Sequence, residues 1–429
     1  MNPRIWPIRT LGELFDIGAG KAMSASARLG ERRYPFLRTA NVFWGRLDLT
    51  TLDTMNFSEK EIELKSLRKG DLLVCEGGDI GRSAIWTGEI GNCGFQNHIH
   101  RLRPKSADTI PAFAMYYLQA GFTQLGIYEG AGNKTTIPNL SRGRLAALPV
   151  PTPPRPEQEK IAAVLWKIQR GIEMEVKLAA AARELKQSVM HQLFTHGLRD
   201  QPQRDTALGP LPQNWTTVPL GSLGRIGNGS TPLRGNQAFW ANGTTPWLNS
   251  AKVYDVTITK ADQFVTPLAA VECHLPRVKP GSVLIAITGQ GKTLGHAAVT
   301  AIETCVSQHI AFLAFNDNSV NPHLIRLFLE SRYAELRGVA SGGGSTKGAL
   351  TCGFLKTFLV PRMKRDEQDE IASALMTIEA KIAIHERKRA ALQDLFQTLL
   401  HHLMTGKIRV DKLDTDTGKL VAKENAAPL

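Results

Sequence analysis

The stretch closest to a catalytic motif is VLIAITGQGKT at residues 283–293, because its Gly-Lys-Thr ending is typical of phosphate-binding loops. In such a loop, backbone amides and a lysine, here Lys292, hold nucleotide phosphates where a strand leads into a helix. The residues that follow, LGHAAVTAI, favour a strand instead. A glycine turn between two strands fits this context better, and a nucleotide hydrolase that uses Lys292 stays open as an alternative.

The histidines and cysteines lack the spacing of a metal or redox site. His98 with His100, and His401 with His402, have no companion ligands at zinc-site spacing. The five cysteines include no C-x-x-C pair, which indicates neither a disulfide framework nor a zinc cluster. We therefore expect no catalytic residue, no cofactor and no metal site in this chain, and a binding protein rather than an enzyme.

The charge balance points to a polyanionic partner. The net charge is +13, and lysine and arginine side chains gain free energy by displacing counterions from phosphates. No apolar run is long enough to cross a bilayer, and MNPRIWPIRTLGELF lacks the apolar core of a signal peptide. We expect a soluble cytoplasmic protein that does not contact a membrane.

An internal repeat covers almost the whole chain. RPEQEKIAAVLW at 155–166 returns as RDEQDEIASALM at 365–376, an offset of 210 (365 − 155 = 210). Other blocks return at nearly the same offset, among them Trp6 with Trp215, Pro35 with Pro246 and Val150-Pro151 with Val360-Pro361. The same comparison pairs Gln96 with Gln308. Two copies of one fold with small loop insertions explain this order.

Each copy consists of a strand-rich part and a long helix. Short runs of β-branched and aromatic residues between Gly, Pro and Asn predict strands, with a helix or two among them. The long helices carry heptad-spaced positions: Ile161, Leu165, Ile168, Ile172, Glu175, Ala179, Ala182, Lys186, Val189 and Leu193, matched 210 residues later by Ile371, Leu375, Ile378, Ile382, His385, Arg389, Leu392, Phe396, Leu399 and Leu403.

The two helices need each other, because a stripe of this length cannot be buried on one small domain. Two like units in one body favour a pseudo-two-fold arrangement with antiparallel helices. The fold class expected is α+β: two strand-rich mixed α/β domains joined by two long antiparallel helices in a coiled coil. Matching the helix ends predicts a polar crossing of Glu175 with Arg389.

Loops that mix Lys, Arg, Asn, Gln, Ser and Gly recur at matched positions in both copies. Arg and Lys suit guanine edges, Asn and Gln suit adenine edges, and hydroxyls and amides suit phosphates. We expect DNA contacts from Lys21, Arg38, Asn41, Arg82, Gln96, Asn97, Asn133, Lys134 and Arg142 in the first copy, and from Thr231, Arg234, Asn249, Lys252, Lys292, Gln308, His309, Thr346 and Lys347 in the second. Solvated loops without a ligand are the alternative, and Gln96 and Gln308 could equally anchor strand ends.

The chain resembles the specificity subunits of type I restriction-modification enzymes. The likeness rests on Glu157-Gln158 and Glu367-Gln368 at the helix openings, on the helix ends near LFTHG and LMTGKIRV, and on the LGEL and LGSL openings of the two copies. It implies these boundaries: target-recognition domain 1 at 1–155, spacer helix 1 at 156–198, a linker at 199–213, target-recognition domain 2 at 214–364, spacer helix 2 at 365–405 and a polar tail at 406–429.

The resemblance also implies partners. In that family each domain recognises one half of a bipartite site in double-stranded DNA, and the helices set the spacing and dock two methyltransferase subunits. Two motor-nuclease subunits join for restriction. S-adenosylmethionine, ATP and Mg would then belong to the partner subunits. A structural coiled-coil adaptor without DNA contact is the second alternative.

Overall fold

The computed structural model describes residues 6–128, 139–289, 292–342 and 349–410. The chain divides into two compact units: unit 1 contains residues 1–176 and 387–429, and unit 2 contains residues 177–386. Each unit therefore combines one globular part with half of each long helix.

Unit 1 begins with the first globular part. Its strands are β1 (Ile8–Thr10), β2 (Phe15–Ala19), β3 (Arg33–Leu37), β4 (Val42–Phe43), β5 (Arg46–Leu47), β6 (Asp53–Asn56), β7 (Leu72–Cys75), β8 (Ser83–Ile85), β9 (Gly94–Phe95), β10 (Ile99–Pro104) and β11 (Pro149–Pro151). Its helices are α1 (Leu11–Leu14), α2 (Ala25–Leu29), α3 (Glu59–Lys65), α4 (Pro111–Thr123) and α5 (Arg142–Ala147), followed by the first long helix, α6 (Arg155–His196).

Unit 2 holds the second globular part. Its strands are β12 (Gln203–Thr206), β13 (Gly209–Pro212), β14 (Thr216–Pro219), β15 (Gly224–Asn228), β16 (Thr245–Leu248), β17 (Thr257–Ile258), β18 (Gln263–Val265), β19 (Val283–Ala286), β20 (Ala297–Thr300), β21 (Cys305–Val306), β22 (Ile310–Phe315) and β23 (Leu359–Arg362). Its helices are α7 (Gln237–Trp240), α8 (Pro267–Glu272), α9 (Pro322–Ser331), α10 (Tyr333–Gly342) and α11 (Cys352–Thr357), followed by the second long helix, α12 (Arg365–Met404).

The sheets of the two units share one topology. Unit 1 has a sheet in the order β2-β10-β7-β8, and unit 2 has β15-β22-β19-β20 with β17 added at the edge. A three-stranded sheet, β6-β3-β9, is likewise matched by β18-β16-β21. The internal repeat predicted from the sequence is thus confirmed as a repeat of fold.

Strand pairing at the start of each unit follows the sequence repeat. Arg9 pairs with Val150 between β1 and β11, and Val218 pairs with Val360 between β14 and β23. In the main sheets, β7 (LLVC) and β19 (VLIA) are buried at every residue. Continuous apolar runs of this length are typical of strands covered on both faces.

The long helices have 42 and 40 residues, which corresponds to about 60 Å each. In unit 1 the C-terminal half of α12 packs beside the N-terminal half of α6. A Cβ added to Gly171 would lie 3.3 Å from Leu392 Cδ1, and Glu175 Oε1 lies 4.0 Å from Lys388 Nζ. Because numbers rise along α6 as they fall along α12, the helices are antiparallel.

Unit 2 shows the same antiparallel pairing in its own halves of the helices. Arg183 donates to Glu386, and Lys186 Nζ lies 2.7 Å from Glu379 Oε1. In unit 1, Glu175 lies near Lys388, the residue next to its predicted partner Arg389. The pairing of Glu175 with Arg389 stays a prediction.

The residues predicted to pack between the two long helices do not all have the same surroundings. Some are buried in the core of a unit, and others are only partly buried. Ile161, Leu165 and Leu403 are buried in the core of unit 1, and Ile371 and Leu375 in the core of unit 2. The remaining predicted packing residues are partly buried: Ile168, Ile172, Leu193, Ile378 and Ile382.

Near the C-terminal ends of the two long helices, some of the buried side chains lie outside the predicted heptad positions. Met190 and Phe194 of α6 are buried in unit 2, and Leu400 of α12 is buried in unit 1, each one residue after a predicted heptad position. A pure two-helix seam would bury Leu193 more fully than Phe194. The helices turn these additional side chains toward the globular part of each unit, and a heptad pattern does not anticipate that contact.

The repeated helix openings clamp each long helix to its own unit. Gln158 accepts from Ile110 N–H at 3.1 Å and donates to Asp108 O at 3.0 Å and Pro153 O at 2.8 Å. Arg155 Nη1 adds a bond to Ala107 O at 2.8 Å. The duplicated twelve residues therefore build a joint between the helix and the loop that precedes α4.

Candidate nucleic-acid interface

In unit 1, the polar loops meet at one edge of the four-stranded sheet, which we call loop edge 1. The edge consists of the C-terminal ends of β2 and β7 and the N-terminal ends of β8 and β10, since Ala19 pairs with His100, Cys75 with Ile99 and Val74 with Ser83. It comprises residues 20–22, 38–41, 76–82, 96–98 and 139–142.

Backbone hydrogen bonds hold these loops together. Lys21 N–H donates to Phe95 O at 2.9 Å, and Asn97 N–H donates to Lys21 O at 3.0 Å. Gln96 N–H donates to Leu37 O at 2.9 Å, which places Arg38 beside this pair of loops. The structure therefore brings together the candidates that lie far apart in the sequence.

Lys21, Arg38 and Arg82 of loop edge 1 have acidic partners of their own. Lys21 Nζ lies 2.5 Å from Glu61 and 5.2 Å from the centre of the Phe57 ring. The hydrogen bond from Lys21 is the largest cause that lowers the pKa of Glu61. A phosphate that binds Lys21 would have to compete with this carboxylate.

Two other cations make similar contacts. Arg38 Nη1 lies 2.6 Å from Asp53. Arg82 lies 3.2 Å from Asp79 and donates to Thr39 O at 3.3 Å. These contacts hold both guanidinium groups in place, and their contact with DNA stays a prediction.

Asn41 uses its side chain within the loop. Its Oδ1 accepts from Arg38 N–H at 2.8 Å, and its Nδ2 donates to Asp48 O at 3.0 Å and Thr51 O at 3.2 Å. These bonds shape the turn after β3. The geometry favours a structural role for Asn41 over contact with a base.

Arg142 is exposed at the first residue of α5 and lies next to the edge through the Gly77–Asn139 bridge. Beneath it, His100 is buried, and its Nε2 lies 2.9 Å from Leu140 O. Burial is the largest cause that lowers the pKa of His100, with a smaller contribution from the positive charge of Arg142. His100 is therefore a neutral part of the scaffold below the edge.

Unit 2 has an equivalent loop edge 2, formed by residues 229–236, 249–252, 287–289, 292–296, 307–309 and 349–351. Ser230 N–H donates to Val306 O at 3.1 Å, and Ser307 N–H donates to Leu248 O at 2.9 Å. These bonds repeat those of Lys21 and Gln96 in unit 1. The backbone of the edge is thus the same in both units.

This repeat corrects one expectation about equivalent residues. Because Gln96 and Ser307 make the same backbone bond, they correspond at an offset of 211 (307 − 96 = 211). Gln308 is then the equivalent of Asn97, and His309 of His98, so the predicted match of Gln96 with Gln308 was one residue out of register. Both loops contain a glutamine, but the backbone hydrogen bonds show that the two glutamines are not at equivalent positions.

The side chains of loop edge 2 differ from those of loop edge 1. Arg234 lies over Trp240 and Trp247, at 4.1 and 4.8 Å from the ring centres, and donates to Gln263 at 2.8 Å. Two planar rings hold this guanidinium in one orientation. Loop edge 1 presents Lys21 where loop edge 2 presents Ser230, followed by the half-buried Thr231.

The loop after β16 carries Asn249 and Lys252. Asn249 caps the 3-10 helix at Ser250–Asp255 by accepting from Ala251 N–H at 3.0 Å. Lys252 lies 2.7 Å from Asp255 and 2.9 Å from Asp262, and these hydrogen bonds raise its pKa. Both side chains support the loop, and their contact with DNA stays a prediction.

The stretch that resembles a phosphate loop is a β-hairpin. It joins β19 to β20, so a strand and not a helix follows Lys292. Ten sequence positions (287–296) separate β19 from β20, whereas seven (76–82) separate β7 from β8 in unit 1. The glycine turn predicted from the sequence is confirmed, and the three additional residues explain the local change in offset.

An aromatic cluster supports this hairpin. His296 lies between Tyr254 and Tyr333, with ring centres 4.9 and 4.7 Å away. Tyr333 donates to Lys292 O at 2.6 Å, and Tyr254 Oη lies 3.1 Å from Thr293 Oγ1. Lys292, Gln308 and His309 are exposed beside it. Sequence comparison missed Tyr254 and His296, because unit 1 has Arg82 where unit 2 has His296.

Four candidates, Asn133, Lys134, Thr346 and Lys347, lie outside the described residues. The part of the chain that is described contains no cluster of three or more His, Cys, Asp or Glu that could hold a metal ion. Burial raises the pKa of Cys75 to about 11 and that of Cys93 to about 12, which disfavours a reactive thiolate at either position. Across the described ranges, no helix has both the length and the apolar character needed to span a membrane.

A protein-family model matches both copies of the repeat. The model described as the type I restriction modification DNA specificity domain matches residues 3–182 and again residues 212–394. The two matches coincide with the two copies of the repeat.

Relatives and a solved structure match between 58% and 95% of this chain. The chain is 23% identical over 416 residues to the putative type I restriction enzyme MjaX specificity subunit of Methanocaldococcus jannaschii, covering 95% of both chains. It is 23% identical over 250 residues to the EcoR124I/EcoR124II specificity subunit of Escherichia coli, covering 58% of each. The crystal structure of a type I restriction-modification S subunit from M. genitalium matches with a TM-score of 0.62 at 17% identity, covering 94% of this chain and 97% of that one.

Proposed function

The chain belongs to the type I restriction-modification DNA specificity family, and from this premise we propose that it is a DNA-recognition subunit in which each unit recognises one half of a bipartite, asymmetric site. The proposed role is recognition and assembly, with the chemistry carried by partner subunits.

The observation that carries this proposal is the pair of loop edges. The same backbone hydrogen bonds hold both edges, as with Lys21 to Phe95 and Ser230 to Val306, yet the exposed side chains differ. One scaffold with two sets of side chains is suited to two different DNA sequences, since side chains contact base edges while the frame sets their position. An identical pair of edges would favour a symmetric site.

The long helices supply the second part of the proposal. Each is joined at its start to its own unit through Gln158 or Gln368. We infer that the helices set the number of base pairs between the two half-sites and dock the methyltransferase subunits.

The partners follow from the family. The relatives are named as specificity subunits of type I restriction enzymes, and we infer an assembly with two methyltransferase and two motor-nuclease subunits. S-adenosylmethionine, ATP and Mg would bind to those partners.

The experiment is genome-wide mapping of N6-methyladenine in cells with the complete system and in cells that lack this chain. An interrupted, two-part methylation motif should disappear with the chain and return with its gene. Exchange of residues 1–150 for those of a relative should then alter one half of the motif and leave the other half unchanged. An exchange that altered both halves would contradict the assignment of one half-site to each unit.

A further inference from the structure

A quartet of charged side chains lies where α6, α9 and α12 meet in unit 2. Lys186 of α6 contacts Glu330 and lies 2.7 Å from Glu379, while Arg326 of α9 lies 3.1 Å from Glu330 and 2.7 Å from Glu379. Arg326 is 2% exposed and Lys186 is 8% exposed. Two buried cations thus balance two half-buried anions, and we call these four residues the charged quartet.

The internal repeat shows which residues occupy the same place in unit 1. The long helices correspond at an offset of 210, because Gln158 and Gln368 make the same bonds. The helices α4 and α9 correspond at 211, because Ile110 N–H and Asn321 N–H donate to these two glutamines. The four equivalent residues are therefore Phe396 (186 + 210), Met115 (326 − 211), Gln119 (330 − 211) and Gln169 (379 − 210).

All four of these residues are uncharged, and we call them the neutral quartet. Phe396, Met115 and Gln119 are buried, and the Phe396 ring lies 6.1 Å from that of Tyr116. Gln169 accepts from Tyr116 Oη at 3.0 Å and donates to Trp44 O at 3.1 Å. Unit 1 thus presents an apolar side chain and amides where unit 2 presents four charges.

A residue from one quartet would be unfavourable at the equivalent position of the other quartet. A lysine in the neutral quartet would be buried without a carboxylate, and removal of one partner from a buried ion pair is far costlier than loss of an exposed one. A phenylalanine in the charged quartet would leave Glu330 and Glu379 facing one cation, Arg326, with a carboxylate charge in excess.

We propose that the two quartets form a pairing code for the long helices. The charged quartet accepts the C-terminal half of α6, which brings Lys186, and the neutral quartet accepts the C-terminal half of α12, which brings Phe396. Neither helix end can replace the other, and a second copy of the same end is rejected. The code would keep the assembly asymmetric, and it is independent of which bases the chain recognises.

Thermal unfolding of the full-length chain tests this code. Phe396→Lys should lower the midpoint of thermal unfolding by on the order of 10 °C, as expected for an unpaired buried charge. Leu395→Lys is the matched control, because Leu395 is the neighbouring apolar residue and is exposed. It should shift the midpoint by no more than about 2 °C.

Transplantation of the whole quartet distinguishes a code from general damage to the core. The variant M115R/Q119E/Q169E/F396K carries all four charged residues in unit 1, and it should recover most of the midpoint lost in F396K. In unit 2, K186F should be destabilising and K186F/R326M/E330Q/E379Q should recover, with Lys177→Phe as the exposed control. If neither complete quartet is more stable than its single variant, the pairing code is wrong; the unit 2 series decides the matter if F396K does not fold.

Discussion

Gln158 and Gln368 stand 210 positions apart (368 − 158 = 210) and make the same three hydrogen bonds, each accepting one backbone N–H and donating to two backbone carbonyls. Both side chains are buried, at 5% and 2% exposure. A single residue type thus joins each long helix to its unit.

Gln158→Met should lower the free energy of unfolding by about 3 kcal/mol, because the substitution keeps the side-chain volume but leaves a buried N–H and two carbonyls without this partner. Urea denaturation checks the value. Gln368→Met should have a similar effect, and the exposed Gln393→Met should change stability by less than about 0.5 kcal/mol. Equal effects of all three substitutions would contradict the clamp.

Lowering the pH should destabilise the chain partly through His100. Its pKa is lowered in the folded state by burial, while an unfolded histidine titrates near its ordinary value of about 6.5. As the pH falls below that value, the unfolded chain takes up the proton first. The stability contributed by the neutral ring is therefore complete above about pH 6.5 and is lost as the pH falls through the folded pKa.

The measurement is urea unfolding from pH 7.5 downward for the native chain and for His100→Gln, which keeps a donor near Leu140 but does not titrate. The native chain should lose stability more steeply than the variant. His296 and His323, whose pKa values burial also lowers, are present in both proteins and cancel in the difference. Parallel curves would show that His100 does not contribute.

Lys292→Ala should weaken DNA binding and reduce the slope of log K against log salt by roughly 0.9, as expected for one lost phosphate contact. Lys279→Ala is the control, since this exposed lysine precedes β19 at the opposite end of the strand from Lys292. Binding measured at several salt concentrations distinguishes them. A structural adaptor without DNA contact would show a negligible salt slope in the native chain as well.

Asn97→Ala and Gln308→Ala form a matched pair, because the backbone places these residues at equivalent points of the two loop edges. If each side chain recognises an adenine, its loss should cost about 1–3 kcal/mol of discrimination at one base pair. Mapping of methylated adenines should show relaxed recognition in the first half-site for Asn97→Ala and in the second for Gln308→Ala. Relaxation in the same half-site would overturn the proposed division.

The sequence predicted the repeat, the long helices and the loops better than it predicted what the side chains do. Heptad spacing identified Ile161 and Ile371, because burial along a helix follows its period. The same spacing did not identify Phe194, since that side chain packs on Phe328 of the globular part, with ring centres 5.3 Å apart. Contacts between distant segments leave no periodic signal along either one.

For the loop residues as well, the sequence predicted their location better than it predicted the partners of their side chains. Residue types placed Lys21, Gln96 and Asn97 in one set, and the structure brings them to one edge. Composition did not show that the Asn41 amide would form hydrogen bonds within its own turn. It also did not show that Lys252 would lie between Asp255 and Asp262. These partners depend on the folded path of the backbone.

The hairpin that joins β19 to β20 is three residues longer than its counterpart between β7 and β8 (10 − 7 = 3), while the strands on either side keep the same neighbours. Gly81 and Gly295 close both hairpins with a positive φ, at +83° and +90°. A difference of three residues at this tip leaves the framework undisturbed, so the length of a loop that we propose to contact DNA can change without any adjustment of the hydrophobic interior.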